Sequence, residues 1–400
     1  MTVGRCHKVA RVHPAEGKEQ WWIFTPDDEV HERSLVVLRG RKKSTQRTYA
    51  YSLVDHLNFL EVHGLDETQV RFDHLVRYMA GITGSADAGV FGLAWRDPSK
   101  KPLGVDAANN VAMVLRVYYE GLAVAGVKID PRLLVKLEGR LTPVRGQEDR
   151  WIRSNPLSAG TSSHRPRMVP DEVIEVLLER PGVLLRTRDR MIVIWLKDSG
   201  IRVGGLCGLR FCDLHLQPPY ECNQRTDPHI HIIPRDDNPN GAAAKSYDKT
   251  SYEGPDGVTI NGVIRMASPQ MISSYYAYLL DDYLPIEPLV DHDQVLVNFA
   301  VGHMGTAIKT SRIRKMLREA CGRAGLPGHV VPHAFRHRAA SDLYAASDFN
   351  AQFVADEFGW KDRKMVTTRY GRSANRHAAG HIQRAWQASA TDDPVAHLQP

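Results

Sequence analysis

The 400-residue chain is short of cysteine, with five at positions 6, 207, 212, 222 and 321. So few and so scattered, they make no disulfide framework and point to a reducing, cytoplasmic protein. Long hydrophobic runs are missing as well. The longest obvious one, residues 191–196, holds six residues, far below the ~20 that cross a bilayer. No transmembrane helix is expected, and no membrane partner. The first eight residues, Met1-Thr-Val-Gly-Arg-Cys-His-Lys8, lead into no apolar stretch of the secretory kind. There is no Gly-x-Gly-x-x-Gly, no P-loop and no Gly-x-Ser-x-Gly, so nucleotide-binding and serine-hydrolase readings lose their usual anchors. Internal repeats and low-complexity tracts are absent too. What is there is of globular type, 42% hydrophobic and 24% charged, in a chain long enough for two domains.

Net charge is also scarce: 52 Lys and Arg against 46 Asp and Glu leave +6, too little on its own to imply a polyanionic partner. The distribution carries more. Residues 309–372 hold 13 basic and 6 acidic side chains. A second cluster, Arg39, Arg41, Lys42, Lys43 and Arg47, lies in a stretch with no acid between Glu32 and Asp55. Two separated basic patches suit a clamp around a polyanion, with Arg41, Lys42, Lys43 and Arg47 as candidate contacts. Two solvated faces would give the same counts, and charge alone leaves both readings open.

Residues 1–28 read as a tail whose one apolar cluster, Trp21-Trp-Ile-Phe24, has the make of a docked strand. From a cap at Ser44 or Thr45, Tyr49, Leu53, Leu57 and Leu60 mark one helical stripe that stops at Gly64. Phe72, Leu75, Val76 and Met79 mark a second helix, and Val111, Leu115, Tyr118 and Leu122 a third that ends at Gly126. Residues 29–130 therefore read as a small all-helical domain, with a loop over 80–104. Prolines 131, 143, 156 and 166 around a Ser-rich stretch make 131–168 a linker. Residues 169–400 form the second domain. It is mostly helical, with a small sheet from residues 229–234, the Asn238-Pro-Asn-Gly241 turn and a returning strand over 258–266. The fold class is mainly α with a small β-sheet.

Eighteen histidines invite a search for metal. Cys207, Cys212, His215 and Cys222 fit no recognised zinc spacing, and buried apolar cysteines are the simpler reading. His329, His333 and His337 have helical spacing, but Pro332 separates the first from the helix. No metal and no cofactor is expected. What remains handles phosphate. Arg202 follows Asp198-Ser-Gly200 at a helix start, where backbone N–H groups favour anions. His333 and Arg336, three apart, share one helix face, and a guanidinium matches two phosphate oxygens. Lys245 follows the Asn-Pro-Asn-Gly turn. Tyr370 lies between Arg369 and Arg372, neighbours that favour its phenolate. Singly, each of these residues has an ordinary structural reading.

In order they resemble the tyrosine recombinases, the lambda-type phage integrases. The stretches are Asp198-Ser-Gly-Ile-Arg202 through Arg210 and Asp213, Ala243-Ala-Lys-Ser246, His333-Ala-Phe-Arg-His-Arg-Ala-Ala340, Glu357-Phe-Gly-Trp360 and Thr367-Thr-Arg-Tyr370. The resemblance covers residues 169–372. Region 29–130 matches that family's core-binding domain by position and composition only. It implies a helical core-binding domain followed by a mixed α/β catalytic domain with a C-terminal tail helix. Tyr370 would be the nucleophile of strand transesterification through a 3′-phosphotyrosine. Arg202 and Arg336 would hold the non-bridging oxygens. Lys245 would protonate the leaving 5′-oxygen, with Lys249 as the alternative. His333 would assist the proton transfer at Tyr370 or hold the phosphate, and the Trp360 indole N–H would donate to it. Gly205 stands where family members often carry an acid that buttresses the first arginine, so Arg202 needs another support.

The reading implied is a site-specific recombinase that integrates or excises a mobile element. Its partners would be double-stranded DNA, its own copies (a tetramer on synapsed sites, monomer or dimer when free) and a DNA-bending accessory protein. It would act in the cytoplasm on the nucleoid. A chromosome- or plasmid-dimer resolvase is the runner-up; a type IB topoisomerase shares the chemistry, and a catalytically dead DNA-binding regulator is the alternative from another class.

Overall fold

The stripe of Tyr49, Leu53, Leu57 and Leu60 is buried, as its helical spacing requires. The computed structural model describes residues 6–14, 19–85, 100–144, 147–160, 167–220, 222–245, 250–253, 259–326 and 330–370. It divides into two compact units, Met1–His164 and Arg165–Pro400.

The first unit opens with an antiparallel hairpin of β1 (Lys8–Val12) and β2 (Gln20–Phe24). Helices α1 (Glu32–Leu38), α2 (Lys43–Val62), α3 (Phe72–Thr83), α4 (Val105–Val124) and α5 (Pro131–Glu138) follow. A second hairpin, β3 (Leu141–Val144) with β4 (Gln147–Arg153), comes last. Its core gathers Leu53 and Leu57 of α2, Leu75 and Ile82 of α3 and Leu115 and Leu122 of α4.

Three features differ from the sequence reading. The segment expected as a tail is built into the unit: Ile23 is fully buried, and the Trp21 backbone N–H donates to Gln46 Oε1 at 2.8 Å. The segment expected as a linker carries α5 and the second hairpin. Pro131 takes the first helical position, where its missing N–H costs nothing, and Leu133 and Leu137 are buried. The helix expected to be capped at Ser44 or Thr45 starts from Lys42, whose carbonyl accepts from the N–H groups of Thr45 and Gln46 at 2.9 and 3.0 Å.

The second unit holds α6 (Asp171–Glu179), α7 (Thr187–Ser199), the short α8 (Val203–Cys207), α9 (Pro269–Tyr278), α10 (Thr310–Ala324), α11 (Pro332–Ala346) and α12 (Ala351–Glu357). Its sheet has the order β5-β6-β8-β7, from β5 (Leu214–His215), β6 (His229–Ile232), β7 (Thr250–Glu253) and β8 (Thr259–Met266), all pairs antiparallel. The unbroken apolar run in α7 reflects burial: the helix packs against both α9 and α11. Trp195 at its centre is fully buried and donates its indole N–H to the Met271 carbonyl at 3.0 Å, the partner a buried indole needs. A smaller cluster joins Tyr344 of α11, Val354 of α12, Phe358, Trp360, Val366 and Tyr370. Among the described residues no helix is long and apolar enough to cross a membrane.

Candidate functional site

Gly200 ends α7 in the left-handed region, at φ 58°. A Cβ there would lie 2.7 Å from Phe358 Cε1, so only glycine lets the chain turn this close to α12. Two residues on, Arg202 is the N-cap of α8. Its guanidinium donates to the Lys245 carbonyl. That contact supplies the support that Gly205 cannot: a Cβ on Gly205 would already meet Ile232 Cγ2 at 3.0 Å, leaving no room for a carboxylate.

The Asn-Pro-Asn-Gly turn is a bracket for the segment bearing Lys245. Asn240 Nδ2 donates to the carbonyls of Cys207 and Ile308 at 2.8 and 2.7 Å, and its Oδ1 accepts from the Ala242 N–H at 2.9 Å. Asn238 Nδ2 donates to the Ala242 carbonyl at 2.8 Å. These bonds lay residues 242–245 directly on α8, where a Cβ at Gly204 would stand 2.5 Å from the Ala243 oxygen. Lys245 is exposed at the end of the segment. Lys249 lies outside the described residues.

Arg336 projects from α11 and is 3% exposed. It donates to the carbonyls of Gly200 at 2.8 Å and Phe358 at 2.6 Å, and its guanidinium lies over the rings of Phe358 and Trp360. Burial, and then the charges of Arg202 and Arg265, push its pKa well below the usual arginine value. Arg202, Lys245, Arg265 and Arg336 line one open depression with Gly205, Ile232, Ala244, Val263 and Phe358. Arg265 was not singled out by the sequence. It comes from β8, is 4% exposed, donates to Glu357 Oε2 at 3.3 Å and stacks on Phe358. Buried donors on two of these groups, Arg336 Nε and Arg265 Nη2, have no acceptor among the described residues. Unmet buried donors on mutually repelling cations are costly, and an anion in the depression relieves that cost.

Tyr370 closes a helical turn over residues 364–370 and is 1% exposed. Its ring stacks on Trp360, with centroids 5.9 Å apart and planes at 22°, and Phe358 stacks on the same indole at 5.0 Å. Trp360 therefore braces Tyr370 with its faces, a job the indole N–H assignment did not foresee. The Tyr370 hydroxyl is 2.7 Å from His337 Nδ1. Burial pushes the phenol up to about 12 against the opposing pull of Arg336, Arg369 and Arg202. Arg369 pulls towards the phenolate, as the sequence suggested, but desolvation outweighs it; Arg372 lies outside the described residues.

The imidazole on the tyrosine is thus His337. Burial first, then His333, Arg369 and Arg336, lower it to about 4, so at neutral pH it is uncharged and Nδ1 can accept the phenol's proton. His333 is exposed one turn earlier on α11 and meets the His337 ring edge-on at 4.3 Å. The sequence reading gave His337 no role, though it lies in the His333–Ala340 stretch; its place one residue after Arg336 was the available signal. His329, spaced with His333 and His337 in the sequence, lies outside the described residues, as does the tail beyond 370.

The basic cluster of the first unit is exposed, and three of its members are engaged locally. Arg41 donates from Nε to the Val37 carbonyl at 2.6 Å and lies over Tyr49. Lys43 pairs with Glu19 at 2.6 Å, and Arg47 lies over Trp21 and Tyr51. Lys42 caps α2 without a side-chain bond to that cap.

Residues 266–377 match the phage integrase family. Over 323 residues, 80% of each chain, the protein is 22% identical to transposase A from transposon Tn554 of Staphylococcus aureus. Among solved structures, the Tn1549 transposon integrase in complex with a circular intermediate DNA aligns with a TM-score of 0.56 at 12% identity, covering 88% of this chain and 97% of that one. The XerH site-specific recombinase bound to a palindromic difH substrate aligns at 0.51 and 16% identity, covering 86% of this chain and 82% of that one.

Proposed function

We propose that the chain is a tyrosine recombinase of the phage integrase kind, which cuts and rejoins DNA at specific sites to move a mobile element. The observation that carries the reading is the buried Tyr370, hydrogen-bonded to a neutral imidazole, in the same unit as a depression lined by three arginines and a lysine. The Tn554 relative and the Tn1549 neighbour favour the mobile element over the dimer-resolvase role.

The Arg202 and Arg336 guanidiniums take the two non-bridging oxygens of the scissile phosphate and stabilise the charge that grows on the pentavalent centre. Tyr370 Oη attacks phosphorus and passes its proton to His337 Nδ1. The P–O5′ bond breaks, and the Lys245 ammonium gives a proton to the departing O5′. The phosphotyrosine conserves the bond energy, so a free 5′-hydroxyl of a partner strand reverses the steps without ATP. His333, exposed beside His337, holds the phosphate in this reading. Since Tyr370 is 1% exposed, entry of DNA has to open its slot between Trp360 and His337 before attack.

Arg41, Lys42, Lys43 and Arg47 contact DNA phosphates in this reading. Strand exchange requires four active sites, hence a tetramer on synapsed duplexes from monomers or dimers in solution, with a DNA-bending accessory protein where the site demands it. The enzyme works in the cytoplasm on nucleoid DNA. A nicked suicide duplex tests the proposal: an active recombinase accumulates a covalent protein–DNA band that survives denaturation. A chain that shifts the duplex in a gel yet never forms that band is a DNA-binding regulator.

A further inference from the structure

The connection between β5 and β6 brings four metal-ligating side chains to one end of the sheet. His215 on β5 is the register partner of His229 on β6. His231, two residues further along β6, falls on the same face as His229. Cys222 returns to them from the intervening loop. The candidate ligand atoms of His215, Cys222, His229 and His231 all lie within 4.8 Å of one another. Cys222 Sγ stands 3.1 Å from His229 Nε2. Zinc bonds of about 2.0–2.3 Å put the edges of a tetrahedral site at about 3.3–3.7 Å, so small side-chain rotations close the set around one ion.

A second observation points to a ligand. His229 Nδ1 is 2.7 Å from the Asp227 carbonyl, an acceptor that fixes the proton on Nδ1 and leaves the Nε2 lone pair facing Cys222 Sγ. Metal-bound histidines are held in this way. The rings crowd one another, with His215 centroids 4.8 Å from His229 and 4.6 Å from His231. His229 and His231 are at most 1% exposed.

We infer that His215, Cys222, His229 and His231 form a closed zinc site, one thiolate and three imidazoles, that ties Cys222 to the edge of the sheet. Four protein ligands leave no open position, which makes the site structural and leaves strand cleavage to Tyr370. The soft thiolate and the imidazoles favour zinc over magnesium or calcium. Of the cysteines that the sequence grouped with His215, Cys207 and Cys212 take no part: Cys207 is buried in the main core and Cys212 is exposed. Histidines two apart on one strand replace them, a spacing that becomes meaningful once β5 and β6 are paired. The consequence reaches the active site through β6, which runs into the arm that bears Lys245. Arg235 on that arm pairs with Asp213 at 2.6 and 2.8 Å, just before β5.

The test uses untagged full-length protein, purified without chelator, with metal counted by mass spectrometry and the site then exchanged with Co²⁺. One zinc per chain is expected. The cobalt form should show the visible bands of a tetrahedral site and a thiolate charge-transfer band. The Cys222→Ser variant should lose that band, and Cys222→Ser and His231→Ala should each lose zinc, while His303→Ala, an exposed histidine, keeps it. Circular dichroism and duplex binding report whether each variant is folded. A strong zinc chelator should lower the Tm of the parent and leave Cys222→Ser unmoved. A parent chain that binds neither zinc nor Co²⁺ overturns the inference, and so does zinc retained at full occupancy in both ligand variants.

Discussion

Replacing His337 with asparagine removes a proton acceptor while leaving an oxygen near the position of Nδ1. At a pKa of about 12 the Tyr370 phenol is two units harder to ionise than a free tyrosine, about 2.7 kcal/mol. Near pH 7 only about one molecule in 10⁵ would hold a phenolate unaided. His337, lowered to about 4, is neutral over the working range and accepts the proton as the nucleophile attacks. Loss of such a base typically costs 10²–10⁴-fold. Single-turnover cleavage of a nicked duplex should therefore fall by roughly that factor, with duplex affinity unchanged. The pH profile separates a chemical role from a structural one. The parent rate should be flat from pH 6 to 8, whereas His337→Asn should gain about tenfold per unit as the phenol ionises unaided. A fluorinated tyrosine of lower pKa at position 370 should rescue the variant. If His337→Asn cleaves at the parent rate, or if His333→Asn alone produces the sloping profile, the reasoning is refuted.

Three further outcomes follow from the same geometry. Gly204→Ala puts a methyl group 2.5 Å from the Ala243 oxygen; it should displace the Lys245 arm and cut cleavage sharply while the first unit keeps its own stability, read by cleavage assay and limited proteolysis. Lys245→Ala should be inactive on ordinary DNA and rescued by a 5′-bridging phosphorothiolate, whose sulfur leaves without a proton; rescue of Lys249→Ala in its place would reverse the choice. His56, fully buried against Tyr119 and lowered to about 3 by burial, is neutral when folded and gains a proton on unfolding below pH 6.5, so its contribution is complete above that pH and falls as pH drops towards 3. At pH 5 the loss is about 2 kcal/mol, and His56→Gln should flatten the fall in Tm between pH 7 and 5.

The main helices of the first unit were legible because Tyr49, Leu53, Leu57 and Leu60, like Val111, Leu115, Tyr118 and Leu122, repeat at the helical period and meet one core. Arg202, Lys245 and Arg336 were legible because each sits at a local signal, a helix start, a turn or a shared helix face, and the fold brings them to one depression. Arg265 was not, since an arginine on a short strand looks exposed until the sheet turns it inward. His337 was hidden by its neighbours: only the fold decides which of two histidines one turn apart meets Tyr370. That burial outweighs the cations around that phenol was not legible, because burial is a tertiary property. His215 and Cys222 were weighed for metal only beside Cys207 and Cys212, and His229 and His231 join them through strand pairing.

The most direct measurement is the identity of the residue that carries the DNA. A nicked duplex trapped by the parent protein, digested and sequenced by mass spectrometry, should yield one nucleotide-modified peptide with the phosphate on Tyr370. Tyr370→Phe should bind the same duplex with parental affinity and yield no adduct. A phosphopeptide that maps to Tyr344 or Tyr247, or an adduct that persists in Tyr370→Phe, would contradict the account.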